Sequence, residues 1–313
     1  MQRRSILLLS ALVASGFGRA AQAQQALTLL TAGSGSAFLP YGEGLAAFLS
    51  QQGVPVTVRQ SAGSLQNLSL VEDDPTALGT AFLGSAWDAI KGTPAAGGRP
   101  HTRVRALFPM YETSFQAAAL RTSGITEFLH LAGRRVGCGP KGGPAEVFFR
   151  AACDAAGITA EVVSGDPGPQ AEALGNGQID AFWQGAIVPI PSLMQVLQRT
   201  DAVVFGLTAP LVAAVTARLP YLSPTTLPPG TYPGQTNPIA SFGAWNFVIA
   251  NERLPEAQAY ELTRRALSAH DPAVQIHASG VGTRALNAKA NRILPFHPGA
   301  IRYYHETGIT LSI

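Results

Sequence analysis

Charge is scarce in this chain: Asp, Glu, Lys and Arg make up 13% of its 313 residues, and only three of them are lysines. The formal net charge is +3, part of it carried by Arg3 and Arg4 at the N-terminus. A nucleic-acid surface needs a clustered excess of Lys and Arg to displace phosphate counterions, and no such stripe is present. Cysteine is almost missing. Cys138 and Cys153 lack the spacing of a metal or redox motif, and they either form one disulfide or serve as two small buried apolar residues. G-x-S-x-G, H-E-x-x-H and C-x-x-C are absent, so neither a catalytic constellation nor a cofactor is expected. The six histidines have no ligand spacing and read as capping or surface residues. Beyond the N-terminus no apolar run approaches the ~18 residues of a membrane span, which excludes a polytopic protein.

What is present is a chain 46% hydrophobic, long enough for two compact lobes. Residues 1–23 read as an export signal: Arg3 and Arg4, the apolar run Ile6 to Val13, then Ala21-Gln22-Ala23, with cleavage after Ala23. The paired arginines admit either the general secretory or the twin-arginine route, and the expected location is periplasmic.

From Gln25 onward short β-rich runs alternate with helical patterns, the rhythm of an α/β fold. Strands are expected at Leu27–Thr31, Val54–Arg59, Ala77–Leu83, Val104–Phe108, Phe115–Leu120, Arg135–Cys138, Glu161–Ser164, Ile179–Trp183, Val203–Leu207 and Ala244–Ala250. Helices are expected at Tyr41–Ser50, Leu65–Val71, Ala145–Ala156, Gln170–Gly175 and Pro255–Ala269, before a largely helical tail. Leu219 to Pro238, with six prolines, reads as a wrapped loop.

Three strand ends run into loops of glycine and hydroxyl residues ahead of a helix: Gly33-Ser34-Gly35-Ser36, Ser61-Ala62-Gly63-Ser64 and Gly139-Pro140-Lys141-Gly142-Gly143. Backbone N–H groups at a helix N-terminus suit a carboxylate or phosphate, so a small organic anion is the expected partner. Any one of these loops is equally an ordinary turn with a serine cap; three together point to a ligand site at the carboxyl ends of strands. Gly137 to Gly142 also fits G-x-G-x-x-G, but Pro140 and Pro144 remove donors that a pyrophosphate needs.

The chain resembles the TAXI-type solute receptors of TRAP transporters over essentially its whole mature length. The resemblance rests on Thr31 to Ser36 with Pro40, Gln60 to Leu68, Arg135-Val136 through Gly139-Pro140, and Gly177 to Phe182. Pro228 to Gln235 and His297 to Tyr304 carry it most specifically. It implies a two-lobed periplasmic binding protein fold (type II-like), with two open mixed sheets and two interlobe crossings near Tyr111–Phe115 and Pro238–Phe242. Lobe one would comprise residues 26–112 plus 241–313, and lobe two residues 113–240. The implied function is capture of an amino-acid or dicarboxylate-like ligand by lobe closure and delivery to TRAP membrane subunits, by a monomer and without catalysis. Departures occur at Phe82-Leu83-Gly84, an apolar wall where the family has a polar turn, and at Lys141, Gly143 and Ala145 in place of its Pro, Ser and Thr.

Expected ligand contacts from the first lobe are Gly33, Ser34, Gly35, Ser36 and Phe38, then Ser61 and Ser64, then Gly84 and Ser85. The second lobe would contribute Lys141, Gly142, Gly143, Trp183 and Gln184, and the crossings Tyr111, Trp245 and Asn246. Two other readings stay open: an exported α/β enzyme acting through Ser34 or Ser36 on a small anionic substrate, and a receptor that presents its ligand to a membrane sensor.

Overall fold

A computed structural model describes residues 27–33 and 36–312. The expected export signal, Ser34 and Gly35 lie outside the described residues. The first half contains β1 (Leu27–Leu30), α1 (Phe38–Gln51), β2 (Val56–Arg59), α2 (Ser64–Asp73), β3 (Ala77–Phe82), α3 (Leu83–Lys91) and β4 (Val104–Leu120). Then follow β5 (Arg135–Gly137), α4 (Pro144–Ala156), β6 (Glu161–Val163), α5 (Pro167–Gly175), β7 (Ala181–Ala186), α6 (Pro191–Arg199), β8 (Ala202–Phe205) and α7 (Ala209–Arg218). The chain ends with β9 (Leu222–Leu227), β10 (Ile239–Asn251), α8 (Glu256–Ala266), α9 (Pro272–Gln275) and α10 (Pro298–Glu306). Among the described residues no helix is long and apolar enough to cross a membrane.

The α/β alternation holds, but the expected pair of separate sheets is corrected. Among the described residues all ten strands belong to one mixed sheet of order β2-β1-β3-β10-β4-β7-β5-β6, with β8 on β4 and β9 on β10. The reason is the length of β4 and β10, 17 and 13 residues, which pair antiparallel and run through both halves. Val104–Phe108 and Phe115–Leu120, expected as two strands, are therefore one. Leu222–Leu227 corrects the wrapped loop: it is an edge strand paired to β10, and an edge tolerates Pro224 because its missing N–H has no second neighbour to serve. Helices α3, α6 and α7 were not expected; α3 follows β3 without a turn, and α6 and α7 begin on short segments with proline in the first turn.

The buried side chains change company along the two long strands. Tyr111 on β4 and Phe247 on β10 belong to the core that also holds Leu29, Tyr41 and Tyr304. Phe115, Phe242 and Ala244 belong to the core of Trp183, Phe148 and Phe149, with a further cluster around Phe182 and Tyr232 on the same half.

Strand direction places the candidate site. β1 and β2 run parallel to each other and to β3, while β3 is antiparallel to β10 and β10 to β4, so all three run the same way as β4, from the first core toward the second. β7 is antiparallel to β4 and parallel to β5, which pairs parallel with β6, so these three run from the second core toward the first. The carboxyl ends of both parallel sets thus point at one another. β3 stops at Phe82, opposite Asn246, and β7 stops at Ala186, opposite Ser114. Because Trp245 faces Glu112, the two ends lie about three residues apart along β4, roughly 10 Å.

Candidate functional site

Helices α1, α2 and α3 follow the ends of β1, β2 and β3, and α4, α5 and α6 the ends of β5, β6 and β7, so helix N-termini of both halves border the junction. Such ends carry unpaired N–H groups and a partial positive charge.

In the first half the tips are held by Asn67. Its buried side chain donates to the carbonyls of Thr31 at 2.7 Å and Thr80 at 2.8 Å, and its Oδ1 lies 2.6 Å from Ser61 Oγ. Ser61 Oγ also sits 2.8 Å from the Thr31 carbonyl and accepts from the Gly63 N–H, while Ser64 Oγ accepts from the Phe82 N–H at 3.0 Å. Both hydroxyls therefore shape the loops, and what this segment offers a ligand is backbone. Gly33 is exposed, and Ser36 Oγ accepts from the Phe38 N–H at 3.2 Å. A side chain at Gly84 would strike the Phe82 ring, and Ser85 beside it is half-buried with no side-chain hydrogen bond among the described residues.

The glycine-rich loop of the second half is closed upon itself, so the N–H groups of Gly142 and Gly143, expected to meet an anion, already have partners within the chain. The Gly139 N–H donates to Gln170 Oε1 at 2.8 Å, the Gly143 N–H to the Pro140 carbonyl at 2.9 Å, and the Gly142 N–H to Glu146 Oε2 at 2.9 Å. The Gly142 bond and the Arg150 guanidinium hold the Glu146 carboxyl below its ordinary range, so a negative charge already stands at the start of α4. Lys141 is exposed and makes no ion pair among the described residues. Trp183, an expected ligand contact, is fully buried: its indole donates to the Ala145 carbonyl at 3.0 Å, and it packs on Phe115, Phe128, Phe149 and Phe242.

Two expected residues combine burial with an unpartnered polar tip. Tyr111 is 5% exposed and packs against Phe38 and Tyr41, yet its hydroxyl has no hydrogen-bond partner among the described residues. Burial raises its pKa, so the hydroxyl is a neutral donor. Gln184 is 7% exposed; its Oε1 accepts from the Gly185 N–H, and its amide nitrogen, beside Gly139, is unpartnered among the described residues. Neither tip is among the polar atoms sealed from solvent. Trp245 is half-buried against Gly282, and Asn246 is structural, donating to the Tyr111 carbonyl at 3.1 Å and to Thr113 Oγ at 3.3 Å.

Three residues escaped the sequence reading: Asn67, Glu146 and Glu112. A carboxylate in the first turn of α4, four residues before Arg150, was a legible signal for Glu146. For Glu112 the signal was a lone acid inside an apolar strand. Burial pushes its carboxyl up to about 7, against a weaker opposing hydrogen bond from Thr225 Oγ at 3.2 Å.

On one face the junction is closed by rings. Phe82 at the end of β3 lies 6.1 Å from Phe148 on α4 and 6.5 Å from Tyr221, which also meets Trp87 at 6.5 Å. The expected apolar wall at Phe82 thus packs across to the other half. A cavity of about 400 Å³ lined by Arg121, Glu127, Phe205, Gln235 and Asn237 lies at the far end of β4, away from these residues. Among the described residues no group of three or more His, Cys, Asp or Glu side chains could hold a metal. Cys138 and Cys153 are both buried and unbonded.

Comparison with known proteins returns one family and one fold. The profile of the NMT1-like family matches residues 29–308. Among solved structures, a TctC solute binding protein from Polaromonas, without ligand, aligns with a TM-score of 0.54 at 13% identity, over 77% of this chain and 82% of that one. A Rhodopseudomonas palustris protein with adipate aligns at 0.52 and 16% identity, over 91% and 93%. MatC from the same organism, with bound malate, aligns at 0.50 and 18% identity, over 82% and 88%. The mixed α/β fold is that of periplasmic binding proteins.

Proposed function

The chain belongs to the NMT1-like family, and from that premise we propose that it is an extracytoplasmic solute-binding receptor for a small carboxylate, which it captures between its two halves without transforming it. The observation that carries this reading is the opposed direction of the two parallel strand sets, which aims the helix N-termini of both halves at one junction. The Tyr111 hydroxyl and the Gln184 amide, with Phe38, Trp245 and the backbone at Gly33, at Ser36, along Ser61 to Ser64 and along Gly84 to Ser85, form the proposed site. The change of core between Tyr111 and Phe115 on β4, and between Ala244 and Phe247 on β10, supports two lobes hinged on these strands. The malate and adipate found with structures of the same fold support an organic acid as ligand.

The finer parts of the proposal are TAXI-type membership, export with cleavage after Ala23, action as a monomer in the periplasm, and delivery to TRAP-type membrane subunits. They rest on the sequence motifs. The test is native mass spectrometry of the mature protein purified from its own compartment, followed by thermal shift with malate, adipate and glutamate. A retained acid, or a Tm that rises with ligand concentration, supports the receptor. Absence of both, or steady turnover of one of these acids, overturns it.

A further inference from the structure

Glu112 stands on β4 between the last residue of the first core, Tyr111, and the first of the second, Phe115. It lies opposite Trp245, two residues from the level at which β7 ends. Its carboxyl leans over β10 at Gly243, where even a single added carbon would collide with it, and reaches Thr225 on β9. The glycine thus reserves space for the carboxyl, and Thr225 is its only side-chain partner among the described residues.

Among the described residues no counter-charge accompanies it. The groups around it are Gly243 and Trp245 from β10 and Thr225 from β9, and among the described residues no charged side chain acts on it. An acid withdrawn from water with no cation beside it is a poor component of an anion receptor while ionised, because a second negative charge nearby repels it. In its protonated form the same group becomes an O–H donor, and a carboxylate is the acceptor it suits.

We propose that Glu112 is a specificity-determining residue that couples ligand capture to protons: the protein takes up one proton at Glu112 when a carboxylate enters the junction. The proton comes from solvent, and the only bond formed is the Glu112 O–H. This rests on the receptor reading above. With the free carboxyl titrating at about 7, affinity for an acid is flat below that pH. Above it, affinity falls by up to about tenfold per pH unit until the higher pKa of the complex is reached.

The experiment is isothermal titration calorimetry of the mature protein with malate and with adipate from pH 6 to 9, in two buffers of different ionisation enthalpy, on wild type and Glu112→Gln. The expected result is uptake of close to one proton per ligand in wild type near pH 8, and none in Glu112→Gln, whose affinity no longer follows pH. Binding with the same pH profile in both proteins overturns the coupling and leaves the receptor standing. Failure of both acids to bind wild type at pH 6 overturns the receptor reading and the coupling with it. A Glu112→Gln protein that does not fold is replaced by Thr225→Val, which removes the hydrogen bond that favours the ionised form and moves the wild-type break in affinity to higher pH; an unmoved break counts against the proposal.

Discussion

The N–H of Gly142 donates to the carboxylate of Glu146 at 2.9 Å, so the mouth of the second half's glycine loop already holds an anion supplied by the chain itself. Glu146 occupies the place that a bound carboxylate takes at a helix N-terminus, and Arg150 balances it from the next turn. Its removal is informative: Glu146→Gln frees a donor and deletes a repelling charge. Affinity for malate or adipate, followed by calorimetry at low salt, is expected to rise several-fold, with the gain shrinking as salt is added. A fall in affinity would mean that Glu146 orders the loop more than it competes with ligand.

Tyr111 separates stability from binding. Its ring is packed, but its hydroxyl has no protein partner among the described residues, so Tyr111→Phe removes no internal hydrogen bond. The melting temperature is expected to stay within about 1–2 °C of wild type, whereas carboxylate affinity drops about tenfold if the hydroxyl meets the ligand. A marked loss of stability, or unchanged affinity, would contradict this assignment.

The tryptophans divide the optical signal. Trp183 is sealed in the second core, whereas Trp245 is half-buried beside Tyr111 and Gly282 at the junction. A ligand-induced change in fluorescence is expected to survive Trp183→Phe and to fall in Trp245→Phe, with the remainder carried by Trp87 against Tyr221. The opposite pattern would place the ligand elsewhere.

Asn67 is the tie between strand ends. Replacing it with alanine removes its buried hydrogen bonds to the Thr31 and Thr80 carbonyls and to the Ser61 hydroxyl, at a cost of about 3 kcal/mol. Urea denaturation is expected to show a lower midpoint with unchanged slope, together with weaker ligand binding, because the tips of β1 and β3 lose their fixed spacing.

Several of the sequence signals that marked the chain as a receptor turn out to build scaffold. Arg135 and Asp180, from two of the quoted motifs, pair with each other at 2.8 Å and join the starts of β5 and β7. Tyr232, in the proline-rich motif, donates to Gln116 at 3.0 Å and accepts from the Ile190 N–H. His297 caps α10, where its Nδ1 accepts from the Gly299 N–H at 3.2 Å. Of the expected contacts, Tyr111 and Gln184 keep polar tips without a partner among the described residues, while Trp183 is withdrawn into core. An aromatic residue near a strand end has the same local pattern whether it faces a ligand or packs inside, and only the neighbouring helix decides which.

By itself the sequence determined the α/β rhythm, most strand positions and the three glycine and hydroxyl loops, because alternating apolar periodicity and turn chemistry are local properties of the chain. The tertiary structure decided that β4 and β10 are continuous through both halves, that the strand ends therefore converge, and that Glu112 sits over Gly243 at the join with no ion pair among the described residues. Pairing between residues more than a hundred positions apart, and the burial that shifts a carboxyl, exist only once the chain has folded, so no reading of neighbours along the sequence contains them.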